Sequence, residues 1–223
     1  MIDRKSAVSG LVGAVIACAV MAAASGPLIR AYILDHPEIL PEAMQRLQDR
    51  ELASAVNANR AAYETPFGSA WAGAADGDVV LVEFFDYACV FCRKSNPDVE
   101  RLLSEDKKLK VVWREFPVLG EDSVAAAQAS LAAARQGKFR QYHDGLFATA
   151  RPTPEAVAAA QKAAGVVPST VTPDIRAEID RNYELATAVR ATGTPLFVVG
   201  DKVLQGAVGY EALKEAIATA RAR

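Results

Sequence analysis

The chain has 223 residues, 51% of them apolar and 23% charged, with a formal net charge of −2. It is long and apolar enough to bury a real core, which excludes a disordered chain. The slightly acidic balance argues against binding nucleic-acid phosphates. Three cysteines and two histidines are too few for a disulfide-stapled mini-scaffold or a zinc ribbon.

Asp3-Arg4-Lys5 precedes an uncharged run from Ser6 to Ile29, 24 residues that could cross a bilayer. A short basic segment before an apolar run is the pattern of an export signal, and Ala22-Ala23-Ala24 offers a small-residue cleavage site. Residues 1–25 are therefore expected to be a signal peptide or a membrane anchor. A third reading is lipidation at Cys18, because Val15-Ile16-Ala17-Cys18 loosely resembles a lipobox. All three place the rest of the chain outside the cytoplasm, in the periplasm or on the outer face of the inner membrane, where disulfide chemistry is possible.

Residues 26–63 read as a helical stalk. Leu28, Ile29, Tyr32 and Ile33 repeat at helical spacing, Pro37 interrupts, and Leu40, Met44 and Leu47 resume on one face. Such a stripe must be covered. It either folds back on the following domain or packs on other copies of the chain in a homo-oligomer.

Residues 64–223 read as one α/β domain. After a Gly/Ala/Asp loop from Ala72 to Asp78, Val79–Phe85 is a near-continuous apolar strand, the kind buried on both faces. Glu83 interrupts it, and a carboxylate there is costly without a role or a partner. The strand leads through Asp86-Tyr87-Ala88 into Cys89-Val90-Phe91-Cys92 and a helix from Arg93 to Ser104, bent at Asn96-Pro97. A thiolate at Cys89 would meet the unpaired N–H groups and partial positive charge of the helix start, which lower its pKa. Arg93 and Lys94 add positive charge. Cys92, one turn on, could attack a mixed disulfide formed at Cys89. A structural disulfide or half of a metal site is the competing reading.

Leu109–Phe116 reads as a second strand. An Ala-rich helical block follows, with helices over Ser123–Gln136, Phe139–Phe147, Pro154–Ala164 and Pro173–Ala191, the last with Thr172 as N-cap. Leu196–Val199, a Gly200-Asp201 turn and Lys202–Leu204 form a hairpin pattern, and Tyr210–Arg221 closes the chain as an amphipathic helix. His36 and His143 read as structural. Tyr87 and Phe91 read as an apolar rim for client chains, with plain packing as the alternative.

Taken together, "VEFFDYACVFC", Pro97 and Thr194-Pro195 resemble the thioredoxin fold, specifically the DsbA-like branch of exported thiol–disulfide oxidoreductases. The resemblance runs from about Phe67 to the C-terminus. It implies a thioredoxin-like domain with an inserted helical subdomain at about residues 121–191, behind the signal or anchor and the stalk. It implies Cys89 as nucleophile, Cys92 as resolving thiol, Glu83 as the buried carboxylate that takes up the Cys92 proton, and Pro195 in cis beside them. It also implies that the Thr194 backbone offers itself to a substrate strand. Pairing with a buried lysine is the other reading of Glu83. The stalk resembles the N-terminal region of ScsC-like proteins. Expected partners are cysteine-containing client proteins and a membrane redox protein of DsbB or DsbD type. No cofactor, metal or nucleic acid is called for. Val90-Phe91 departs from the proline–histidine pair of strongly oxidising members, which leaves the redox direction open. Competing functions are copper tolerance through Cu(I) held by the same thiols, and a non-catalytic oligomeric adaptor.

Overall fold

The computed structural model describes residues 25–222. The export-signal reading, including Cys18 and Ala22-Ala23-Ala24, falls outside them. Among the described residues no helix is long and apolar enough to cross a membrane. The chain divides into two units, Met1–Gln48 and Asp49–Arg223.

In the first unit, a helix over residues 25–35 (α1) stops before His36-Pro37, and a second helix, α2 (Ile39–Ala58), begins there and continues into the second unit. Proline lacks the N–H that a continuing helix needs. Leu28, Tyr32, Leu34, Leu40, Met44 and Leu47 are all exposed.

The second unit is built on a five-stranded mixed sheet in the order β1-β3-β2-β4-β5. Its strands are β1 (Trp71–Gly73), β2 (Val79–Phe85), β3 (Leu109–Glu115), β4 (Leu196–Val199) and β5 (Lys202–Gln205). β2 runs parallel to β3 and antiparallel to β4. The parallel pair is joined by helix α4 (Val90–Glu105), as a parallel connection requires. Side chains alternate across the sheet. Leu81 and Phe85 pack with Trp113, Phe197, Cys92 and Val99 on one face. Val82, Phe84, Val112, Leu196 and Val198 pack on the other, against Val56, Tyr63 and Leu185. Glu83 has the same parity as Leu81 and Phe85, so it shares the face of α4.

Between β3 and β4 lie α5 (Glu121–Arg135), α6 (Phe139–Phe147), α7 (Pro154–Ala163) and α8 (Pro173–Ala188), and α9 (Tyr210–Arg221) ends the chain. The buried face of α5 is largely alanine, including Ala126, Ala127, Ala133 and Ala134, which lets neighbouring helices approach closely. Thr153 caps α7 by accepting from Ala156 N–H at 3.2 Å. Thr172 stands at the expected N-cap of α8 but makes no side-chain cap bond; its hydroxyl accepts from Arg135 instead.

Two short elements go beyond the sequence reading. β1 overlaps the start of the stretch read as a loop, and α3 (Arg60–Glu64) overlaps the end of the stretch read as stalk. The expected division between residues 63 and 64 falls inside the second unit. Val56 and Tyr63 are buried in its core, and Tyr63 O–H donates to Leu185 C=O at 2.7 Å. Buried Arg114 on β3 fastens this segment. Its guanidinium donates to the carbonyls of Ala62, Tyr63 and Thr65, to Asn182, and to Glu178 at 2.7 Å. Replacing Arg114 by leucine strands a buried carboxylate and several carbonyls. We expect a loss of about 3–5 kcal/mol in urea unfolding, with part recovered in the double variant Arg114→Leu, Glu178→Leu.

Candidate active site

The end of β2 aims the chain at the N-terminus of α4. Cys89 is the N-cap residue in extended conformation (φ −76°, ψ 116°), and its sulfur accepts the Cys92 N–H at 3.4 Å. The helix thus begins three residues before the expected start at Arg93, with the cysteine itself satisfying one of the free N–H groups. On the other side, the Cys89 thiol donates to Thr194 C=O at 3.3 Å. Thr194-Pro195 is a cis peptide, and it leads directly into β4.

Both cysteines are free thiols, and their environments push them apart. Cys89 is lowered to about 5, chiefly because the Cys92 side chain hydrogen-bonds its sulfur. Hydrogen bonding from the Thr194 side chain and from the N–H groups of Cys92 and Phe91 acts in the same direction against the cost of burial. Cys92 is fully buried and is raised well above the ordinary thiol range, first by burial, then by its bond to Cys89 and by the nearby charge of Glu83. Cys89 faces a groove of about 650 Å³ and Cys92 does not.

Glu83 lies behind the pair. It is 2% exposed and accepts from Trp113 Nε1 at 3.0 Å. The two residues are register partners on β2 and β3, so the contact is a direct cross-strand pair. Burial raises Glu83 to about 8 despite the Trp113 hydrogen bond, and the charges of Glu100 and Cys89 push the same way. Its side chain is partnered by an indole rather than by a lysine.

The five residues singled out from sequence converge here: Cys89, Cys92, Thr194 and Pro195 around the sulfurs, and Glu83 beneath them. Other expectations fare differently. Tyr87 is 2% exposed and packs in the core, its hydroxyl 2.9 Å from Ser130 Oγ and 3.2 Å from His143 Nδ1. It is therefore no part of a rim. Phe91, 61% exposed, does line the groove, together with Val118 and Leu119. Arg93 hydrogen-bonds the carbonyls of Tyr87 and Phe147, bracing the loop as well as adding charge. His143 is buried among Phe85, Trp113, Phe139 and Phe147, and burial holds it well below its ordinary pKa as a neutral ring. His36 is exposed beside Glu38. Two participants escaped the sequence reading, Trp113 and Asp86; the latter is buried and accepts four hydrogen bonds.

The model of the DSBA-like thioredoxin domain matches residues 80–218. The chain belongs to this family. It is a family of DsbA-like thiol–disulfide oxidoreductases, and the fold described above is the thioredoxin-like fold it shares. A second family model, the copper resistance protein ScsC N-terminal domain, matches residues 23–53. A thioredoxin-like oxidoreductase from Silicibacter pomeroyi is similar in structure, with 34% identity and a TM-score of 0.67 over 72% of this chain and 96% of that one. A periplasmic thioredoxin-like protein from Salmonella enterica serovar Typhimurium shows 29% identity and a TM-score of 0.70, covering 75% of this chain and 98% of that one. The Na(+)/H(+) antiporter NhaA 3 of Salinispora tropica is 37% identical over 78 residues, 34% of this chain. This chain spans only 12% of that antiporter's length.

Proposed function

We propose that the protein exchanges disulfides with cysteine-containing client proteins through Cys89 and Cys92. The observation that carries this reading is the asymmetry of the pair: a low-pKa sulfur on a groove, and a buried, high-pKa thiol within hydrogen-bonding reach behind it. In the oxidising direction, a client thiolate attacks the Cys89 sulfur of the Cys89–Cys92 disulfide. The S–S bond breaks and Cys92 leaves, taking up a proton from Glu83. A second client thiolate then attacks the client sulfur of the mixed disulfide and expels Cys89 as a thiolate. The client loses two electrons and two protons overall, and the pair gains the electrons. Isomerisation starts from the reduced pair: the Cys89 thiolate attacks a client disulfide, the second exchange in reverse, and Cys92 can release the client by attacking Cys89 in the mixed disulfide, the first exchange in reverse. Cys92 must then lose its proton, and Glu83 is the acceptor. Thr194 offers its backbone to the client strand.

Recovery of reduced and of scrambled ribonuclease, with wild type and Cys89→Ser, tests the proposal. Wild type should restore activity and the variant should not; equal recovery by both would refute it.

The redox poise follows from the neighbours of Cys89. Val90 and Phe91 supply neither a cation nor a side-chain hydrogen bond to the thiolate. A Cys89 pKa of about 5 lies between the ~3.5 of DsbA and the ~7 of thioredoxin. The reduced form is then less stabilised than in DsbA. We expect a potential below ~−120 mV, near ~−180 mV or lower, at equilibrium with glutathione, and a more oxidising value for Phe91→His. A wild-type value as oxidising as DsbA would refute the electronic argument.

We place the protein in the periplasm or on the outer face of the inner membrane, supported by the apolar N-terminal run and by the periplasmic Salmonella relative. A membrane partner of DsbB or DsbD type would then reset the pair. The exposed stripe on α1 and α2 supports assembly with other copies through the stalk, which would bring several active sites to one client. Light scattering of the full chain beside a chain beginning at Asp49 tests this, because residues 49–63 belong to the packed unit. A second reading, Cu(I) held by the two thiolates, is favoured by the match to the copper resistance protein ScsC N-terminal domain. Titration with a competing chelator separates it.

A further inference from the structure

Asp86 follows the last residue of β2 and ends up 1% exposed. A buried carboxylate needs hydrogen-bond donors, and four converge on it. Oδ1 accepts from Ala88 N–H at 2.7 Å and from the Ser123 hydroxyl at 2.7 Å. Oδ2 accepts from Val118 N–H at 2.8 Å and from Leu119 N–H at 3.0 Å. Oδ1 thus ties the turn before Cys89 to the start of α5, and Oδ2 holds the loop between β3 and α5. That loop lies beyond the sheet, so its N–H groups have no ladder partner of their own. Phe116 N–H donates to Phe85 C=O and Tyr183 O–H to Pro117 C=O, two and one positions before Val118, and beyond the lip Gly120 C=O accepts from Val124 N–H.

The loop matters because of what it displays. Val118 is 41% and Leu119 is 54% exposed, and both line the groove with Cys89 and Phe91. Exposed apolar side chains on an irregular loop keep a fixed position only if their backbone is held. We propose that Asp86 is a positioning residue for client selection, holding the Val118–Leu119 lip beside Cys89 so that the groove favours client cysteines flanked by apolar residues. This rests on the thiol–disulfide exchange reading. Asp86 contacts no sulfur through its side chain, and its two oxygens link the lip to the cysteine loop as one unit.

Asp86→Asn separates the roles, since an amide cannot accept all four donors and one side must lose its hold. The probes are two synthetic dithiol peptides with the same cysteine spacing, one flanked by Leu and Phe and the other by Ser and Gln, and glutathione. Stopped-flow rates with the oxidised full chain should fall about 5–10-fold for the apolar peptide. The polar peptide, glutathione and the equilibrium constant with glutathione should change less than twofold. Amide hydrogen exchange should speed up at least tenfold at Val118 and Leu119. If the variant does not fold, Ser123→Ala removes one of the four donors and should lower the apolar-peptide rate about twofold in the same selective way. Unchanged discrimination between the peptides overturns the proposal. So does a parallel fall in all three rates, which would assign Asp86 to the cysteine loop alone. Failure of the wild type to exchange with glutathione would instead refute the exchange reading, while the hydrogen-exchange arm would still report on the lip.

Discussion

Replacement of Cys89 by serine is expected to lower disulfide exchange by about 10³-fold or more, the scale on which loss of a nucleophile is felt. Cys92→Ala should do something different: the first attack still occurs, but no resolving thiol remains, so mixed disulfides with clients accumulate on Cys89. The asymmetry of the site carries both results. Cys89, 5% exposed, lines the groove and is lowered to about 5, whereas Cys92 is fully buried and raised. The same values give a pH signature. Alkylation by iodoacetamide should be half-maximal near pH 5, flat from pH 6 to 8, and confined to Cys89 in the native protein. A depressed acid stabilises the folded, reduced protein above its unfolded pKa, and that contribution is lost as pH falls through about 5. The reduced form should therefore lose its advantage over the disulfide form on acidification. Mass spectrometry of trapped adducts decides the roles: adducts through Cys92 in a Cys89→Ala variant would reverse them, and an alkylation midpoint near the ordinary thiol value would remove the activation argument.

The cysteine pair and the strand before it were legible because their signals are local. Seven apolar-rich residues ending in a C-x-x-C specify a buried strand and a helix start without any knowledge of the rest of the chain. The helices from α5 to α9 were legible for a similar reason, since proline, glycine and helical periodicity mark their ends. What stayed hidden depended on register and on distant chain. Glu83 was visible as a misplaced carboxylate, but its Trp113 partner emerges only when β2 and β3 lie parallel in one particular alignment. Asp86 takes donors from residues 118, 119 and 123, which no short-range pattern connects to it. For Tyr87 the sequence leaves rim and packing open because alternation along β2 ends at Phe85; the turn beyond it directs the ring inward to Ser130 and His143, which selects packing. β1 is three residues long at a sheet edge, too short for any period to show. α3 was hidden by the continuous helical composition around it, and the Arg114 that hydrogen-bonds its carbonyls lies 51 residues from Tyr63 in sequence.

Glu83→Gln is expected to make the protein both slower and more stable. The carboxyl is raised to about 8 by burial, against an ordinary value of 4.5. Between those values the unfolded chain has released this proton while the folded chain still holds it. The unfolded state therefore binds fewer protons, and stability falls as pH rises through that window. At pH 7 the cost of keeping Glu83 protonated is on the order of 3 kcal/mol. Glutamine has no proton to lose, and its carbonyl oxygen can still accept from Trp113. Part of the gain is offset because its NH₂ needs an acceptor in a buried site. Urea unfolding should show the variant more stable by about 1–3 kcal/mol at pH 7, with the advantage gone or reversed below pH 4.5, where both folded and unfolded wild-type chains hold the proton and only the cost of the amide remains. The kinetic effect has the opposite sign. Cys92 is raised so far that it cannot ionise unaided at neutral pH, so the step in which it attacks a mixed disulfide needs a nearby proton acceptor. Without Glu83 that step should slow by about 10²-fold, and the inflection of its rate near pH 8 should disappear. The first attack by Cys89 should change little. A variant that gains stability yet resolves mixed disulfides at the wild-type rate across pH 6–9 would show that Glu83 is a tolerated buried acid with no part in proton transfer. A variant that loses stability at pH 7 would show that the amide cannot be accommodated beside Trp113.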